Sequence, residues 1–218
     1  MSVRRTFDAR LKELDNILLA MGKTAEEMLT KAVQALNTGD EQLADEVIAL
    51  DDTVDRYNLQ IETDCVQLIA TQQPAARDLR VIFASVMIAG EVERVADYAL
   101  DVAEVAKSLA GQKIFKPLVD IPKMAELVKA MLRDSLEAFV TRDLELIKRM
   151  INEDDKVDAL YKYLFNELAD FMKKDSALVD QCVQLLTVTR YLERIADHIT
   201  NIGERVYYVE TGELKELH

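Results

Sequence analysis

The sequence has no tryptophan, three prolines and six glycines in 218 residues. So few turn formers exclude a fold of many short strands, which needs a turn about every eight to twelve residues. Only His198 and His218 are histidines, and neither follows a Glu by three residues. The paired Glu-x-x-His motifs of ferritin-type di-iron bundles are therefore missing. The two cysteines, Cys65 and Cys182, stand far apart in no CxxC spacing, which reads as buried reduced thiols. No glycine-rich phosphate loop occurs, and a Cys–His catalytic pair has no support from spacing. Basic charge is also short: 27 Lys and Arg against 40 Asp and Glu give a net charge of −13. That balance excludes nucleic acid as the main partner and disfavours an anionic membrane surface, since both require clustered cations. The most apolar run, Val81 to Gly90, is about half of a membrane span. With no secretory signal in residues 1–7, a cytoplasmic protein without membrane insertion is expected.

What the sequence does hold is hydrophobic residues, half of the chain, placed at helical spacing. Phe7, Leu11, Leu14, Leu18, Met21, Ala25, Met28 and Ala32 step by four and three, the stripe of a helix packed in a bundle. Asn37-Thr38-Gly39-Asp40 then reads as a turn, with Asp40 capping the next helix. A second stripe runs through Leu43, Val47, Leu50, Val54, Tyr57, Ile61 and Leu68 to a stop at Pro74. A third helix is expected from about Ala75 to Ala110, with Leu79, Ile82, Phe83, Val86, Val95, Val102 and Val105 as core candidates. Helices of roughly thirty residues at about 1.5 Å per residue reach about 45 Å.

Residues 111–122 form the linker, and after it the pattern returns. Met124, Val128, Met131, Ser135, Leu136 and Phe139 mark a fourth helix, and Thr141-Arg142-Asp143 takes the place of Thr38-Gly39-Asp40. A fifth helix is expected from about Asp143 to Asp175, and a sixth, capped by Ser176, to about Glu210. Charged identities recur in register. Asp51-Asp52-Thr53-Val54-Asp55 aligns with Asp154-Asp155-Lys156-Val157-Asp158, and Glu93-Arg94-Val95-Ala96-Asp97 with Glu193-Arg194-Ile195-Ala196-Asp197. Unrelated amphipathic helices share a pattern but seldom such identities, so a three-helix unit is duplicated. The expected fold is all-α: two tandem three-helix bundles of six long antiparallel helices, over residues 1–112 and 113–218.

Glu93, Asp97 and Asp101 are spaced by four and project from one helix face within about 80°. Their counterparts are Glu193, Asp197 and Asn201, and the neighbouring helices bring Asp52 and Asp55, and Asp155 and Asp158. Two readings fit. Stacked carboxylates repel, by about 0.2–0.5 kcal/mol per pair, and a hard cation held by oxygens reverses that penalty. Alternatively, Arg94 and Arg194 stand three residues before Asp97 and Asp197, and the rows are solvated faces with their own ion pairs. Recurrence in both halves leaves the two in balance. General acid–base chemistry has no pocket implied for it, and no enzyme is expected.

The segments Gln73-Pro74-Ala75-Ala76-Arg77-Asp78-Leu79-Arg80, Glu91-Val92-Glu93-Arg94-Val95-Ala96-Asp97, Glu153-Asp154-Asp155-Lys156-Val157-Asp158 and Tyr191-Leu192-Glu193-Arg194-Ile195-Ala196-Asp197, in this order, resemble the PhoU family of phosphate-uptake regulators over nearly the whole chain. The resemblance implies two similar three-helix bundles and iron or zinc clusters at Glu/Asp-x-x-x-Asp motifs. In this chain those are Glu93 and Asp97, extended by Asp101, and Glu193 and Asp197, with Asp52, Asp55, Asp155 and Asp158 beside them. Asn201 departs from the first half by lacking a charge. The resemblance further implies a homodimer that links the ATPase subunit of a phosphate ABC transporter to a sensor histidine kinase. Such a protein represses phosphate-starvation genes when phosphate is plentiful.

Overall fold

The computed structural model describes residues 3–74 and 76–217. Six long helices make up most of the described residues: α1 Val3–Thr38, α2 Glu41–Gln72, α3 Arg77–Leu109, α4 Asp120–Thr141, α5 Leu144–Lys174 and α6 Val179–Thr211. No strand occurs among the described residues. The 36 residues of α1 span about 54 Å.

The two hairpin turns show the duplication at the level of backbone. Gly39 ends α1 at φ 69° and Arg142 ends α4 at φ 64°, each in the left-handed conformation. Each sends its N–H back to the fourth residue before it, Ala35 and Ala138, at 2.8 Å. Asp40 then caps α2 by accepting from the N–H groups of Gln42 and Leu43, and Asp143 caps α5 by accepting from Glu145. Such caps contribute about 1 kcal/mol each. The expected cap at Ser176 is corrected: Asp175 caps a single 3-10 turn, Ser176–Leu178, and α6 follows with no side-chain cap. Asp175 wins because its carboxylate reaches the Ala177 N–H at 2.9 Å. The expected start of α3 at Ala75 lies outside the described residues, and the helix is regular from Arg77.

The helical stripes pack as one continuous core, with Leu18, Met21, Met28, Ile61, Ile82, Met131 and Phe139 fully buried. Two core candidates are overturned. Leu79 and Phe83 are 41% and 54% exposed. α3 is apolar around most of its circumference, so its sequence does not tell its packed sides from its outer one. α3 and α6 run antiparallel through the centre and join the halves. Contacts in order along them are Arg77 with Glu210, Glu91 with His198, Tyr98 with Tyr191 and Ser108 with Gln184. α1 crosses α4 through Arg133 with Glu26 at 3.2 Å and Lys129 with Thr30 at 3.2 Å. The linker is strapped to the second half: Gln181 accepts from the Phe115 N–H and donates to the Lys113 carbonyl, and Lys116 pairs with Glu167. Pro122, read as linker, sits in the first turn of α4, where a missing N–H does no harm.

No described helix is long and apolar enough to cross a membrane. Cys65 and Cys182 are buried free thiols, and burial, aided by Asp64 and Glu62, pushes Cys65 up to about 12.

Candidate metal centre

The acidic row of the first half is set by the α2–α3 packing. α2 buries Val47, Val54, Ile61 and Cys65, and that register turns Asp51, Asp55 and Asn58 toward the outer edge of the α2–α3 seam. α3 buries Val92, Val95, Ala96 and Ala99, and presents Glu93 and Asp97 on the facing edge. Asn58 donates its amide N–H to Glu93 across the seam. Burial, then Asp55, Asp97 and Asp52, hold Asp51 above the ordinary carboxylate range. Burial, then Asp97 and Asp55, and to a lesser degree Glu62, do the same to Glu93, against the opposing charge of Arg94. These acids feel one another. The structure therefore brings Asp51, Asp52, Asp55, Glu93 and Asp97 into one electrostatic group.

Asp101 stands a turn further along, raised by burial, Glu104 and Asp97, and its charge also reaches Tyr191 of the other half. In the second half, Glu193 is raised by burial, Asp197 and Asp158, with Arg194 and Arg190 opposing. Asp155 is exposed on α5. Asn201 reaches across α3 and α6 instead, its amide 3.3 Å from Glu91.

The ion pairs of the solvated-face reading are also formed: Arg94 with Asp97 at 2.9 Å and Arg194 with Asp197 at 3.1 Å. Both are surface pairs of about 0–1 kcal/mol, too weak to hold a carboxylate away from a divalent cation. Among the described residues, no three His, Cys, Asp or Glu side chains stand closed around a point that could hold a metal ion. The carboxylates are displayed rather than gathered. The donor set is nonetheless all oxygen, as a hard cation requires. Beside it lies an orphan: Asn58 Oδ1 is shut off from solvent and accepts no hydrogen bond from any described residue. A carboxylate can only accept, so Glu93 fixes which end of the amide is oxygen. The donors are thus of the kind that a hard cation takes, displayed along one ridge and not closed around a point.

Sequence reasoning passed over Asn58, although it continues the Asp51 and Asp55 row by three residues. His198, to which the sequence gives no Glu-x-x-His motif, lies at the join of the halves, its Nδ1 2.7 Å from Glu91 and its ring 5.6 Å from that of Tyr98. Cavities of about 360 Å³ and 340 Å³ lie away from the ridges, one between α1 and α4 at Leu19, Gly22 and Leu136, the other at Asp15, Arg77 and Arg142.

Two copies of a three-helix unit, each with an acidic row on an open helix face, define a duplicated helical-bundle protein. The model of the PhoU domain matches twice, at residues 18–106 and 121–206. The chain belongs to the PhoU family. It is 41% identical to a phosphate-specific transport system accessory protein PhoU homolog of Clostridium acetobutylicum, over 98% of both chains. A homolog of the same description from Aquifex aeolicus is 40% identical over 94% of this chain and 92% of its own. The crystal structure of PhoU from Pseudomonas aeruginosa superposes with a TM-score of 0.90 at 33% identity, over 95% of this chain and all of that one. The all-α fold of paired three-helix bundles agrees with that match. The relatives are accessory proteins, in agreement with the reading that this chain is no enzyme.

Proposed function

We propose that this chain is a regulatory accessory protein of phosphate uptake and a negative regulator of the phosphate-starvation response. It acts as a cytoplasmic adaptor, docking the ATPase subunit of a phosphate ABC transporter on one face and a sensor histidine kinase on another. Transporter state shifts which complex forms, through unequal affinity for two states. The working assembly is a homodimer. Full-length likeness to accessory proteins of phosphate-specific transport carries the regulatory reading. Long helical rods, with a strapped linker between the halves, supply stiff faces for two partners.

The acidic ridges hold divalent cations, iron or zinc, at Asp52, Asp55, Glu93, Asp97 and Asp101 in the first half. In the second half they are held at Asp155, Asp158, Glu193 and Asp197. A bound cation supplies fixed positive charge that neutralises the row and stiffens the α2–α3 and α5–α6 seams. Asn201 is left to its partner Glu91. A second reading, an adaptor whose acidic faces dock basic partner surfaces without metal, is favoured by the Arg94–Asp97 and Arg194–Asp197 pairs.

The regulatory reading is tested by deleting the gene in its own host and following a phosphate-starvation reporter in phosphate-rich medium. Derepression on deletion, reversed by the wild-type chain, is the expected result. A reporter that stays silent refutes negative regulation.

A further inference from the structure

Leu79 and Phe83 do not stand alone outside the core. Asn58 pairs with Glu93, and Cys65 Sγ lies 3.6 Å from the Ile82 carbonyl, which sets the antiparallel register of α2 and α3. One residue beyond that second pair stand Val66 and Phe83, and Ile69 and Leu79 follow a turn later. All four are exposed, Val66 to 67%. They form an apolar patch on the outer side of the seam, at the end where α2 turns into α3. Phe83, Gly90 and Asp97 are spaced by seven, so one face of α3 runs from that patch, across a glycine, to the acidic ridge. Packing does not call for this glycine. A Cβ at Gly90 would meet nothing within 4 Å, and glycine inside a helix costs stability against alanine. The second half lacks the arrangement: with Glu93 aligned on Glu193, Phe83 corresponds to Val183 and Gly90 to an exposed Arg190.

We infer that this face of α2 and α3 docks an amphipathic helix of a partner protein, its apolar side on Phe83 and Val66 and its lysines and arginines toward Asp97. The inference rests on the adaptor reading and supplies one of the two faces. Bare backbone at Gly90 lets another helix come close, and apolar anchors at helical spacing are what such a partner inserts. The charge of the partner follows from the ridge. Asp51, Asp55, Glu93 and Asp97 act on one another as a group, and Arg94 beside them is held by Asp97. Opposite charge steers a partner there and fixes its direction. A single divalent cation leaves the ridge anionic, since Asp51, Asp52, Asp55, Glu93 and Asp97 outnumber its charges. A second copy of the chain, at net charge −13, would set acid against acid.

The probe is a fluorescein-labelled peptide of about 18 leucines and lysines, with leucine at every third and fourth place, titrated with the full chain and followed by anisotropy. A control peptide has glutamate for every lysine. Wild type is expected to bind the first and not the second. Phe83→Ser and Gly90→Gln each weaken binding by about tenfold or more, as losing a central anchor does. Val183→Ser, at the equivalent place on α6, leaves it unchanged. Gly90→Gln melts no lower than wild type, because it removes a helix glycine into open space. A wild type that does not bind the lysine peptide overturns the inference, as do Phe83→Ser and Gly90→Gln chains that bind it like wild type. So does sedimentation in which these two variants split a wild-type dimer, since the occupant is then a second copy. In the host, the Gly90→Gln chain is expected to fail to restore repression to the deletion strain. If deletion derepresses the reporter and Gly90→Gln restores it fully, the inference falls and the regulatory reading stands. If the peptide results hold but deletion leaves the reporter silent, the regulatory reading falls and the docking face stands.

Discussion

Asn201 directs its side-chain amide at Glu91, 3.3 Å away on the other half of the molecule. The same Glu91 oxygen lies 2.7 Å from His198 Nδ1, so one carboxylate receives two side chains from α6. This relationship explains the one break in the duplicated motif. Asp101, at the matching place on α3, has Tyr191 of the other half where Asn201 has Glu91, and its charge reaches that phenol. At 201 an aspartate would set two carboxylates against each other in the seam.

Asn201→Asp is therefore expected to destabilise the protein, although it makes the second motif more like the first. Loss of the hydrogen bond plus repulsion amounts to about 1 kcal/mol or somewhat more, a fall of about 2–4 °C in melting temperature for a chain of this size. Asp101→Asn, the reverse exchange, leaves the melting temperature within a degree or so of wild type or raises it. Thermal melts of the two variants at neutral pH decide between this and an Asn201 that serves only as a weaker metal ligand.

The acids of the ridges set a pH dependence with a definite sign. Asp51, Glu93 and Glu193 are held above their ordinary values, chiefly by burial and then by neighbouring carboxylates. A carboxyl raised in the folded state binds more protons folded than unfolded between its two values. Its contribution to stability thus increases as pH falls from neutrality toward the ordinary carboxylate range, and levels off below that range. Glu93→Gln is expected to raise the melting temperature of the metal-free protein at pH 7 and to lose that advantage near pH 4. A variant less stable than wild type at pH 7 would count against repulsion on this ridge.

Gly22 and Gly203 look alike in sequence and differ in structure. A Cβ at Gly22 would stand 2.1 Å from Leu136 Cδ1, inside the α1–α4 contact between the halves. At Gly203 the nearest atom is Met150 Cε at 2.8 Å, the end of a flexible side chain. Gly22→Ala should cost about 1–3 kcal/mol through overpacking, and Leu136→Val introduced with it should recover part of the loss. Gly203→Ala should be close to neutral, since helix propensity gained offsets the shift of Met150. Denaturant midpoints of the three proteins measure this directly.

Cys65 is expected to resist thiol reagents in the folded protein. It is 1% exposed, and its thiol is pushed up to about 12, so almost no thiolate exists at pH 8. Labelling should appear only on unfolding. Fast labelling of Cys65 under native conditions would mean that the α2–α3 packing opens readily.

Much of the fold could be read from period alone, because stripes such as Leu14, Leu18, Met21, Ala25 and Met28 admit only a packed helix. Asp40 and Asp143 were legible as caps because a short acceptor before an apolar stripe has few other uses. Leu79 and Phe83 misled because hydrophobicity does not say which side of a helix is covered when nearly all of it is apolar. The charged row of Glu93 and Asp97 was visible from spacing. The partners that give it meaning were not. Asn58 and Glu91 matter through contacts 35 and 107 residues away in the chain, which no local pattern encodes.

The central physical claim, that the acidic ridges hold divalent cations, is tested most directly by elemental analysis. Wild type, purified without an affinity tag or chelator, is compared with a chain in which Asp97 and Asp197 are both changed to alanine. Retained iron or zinc in wild type, most of it lost in the variant at nearly unchanged melting temperature of the two metal-free proteins, is the expected result. A wild-type chain that arrives free of metal and cannot be loaded would contradict the claim.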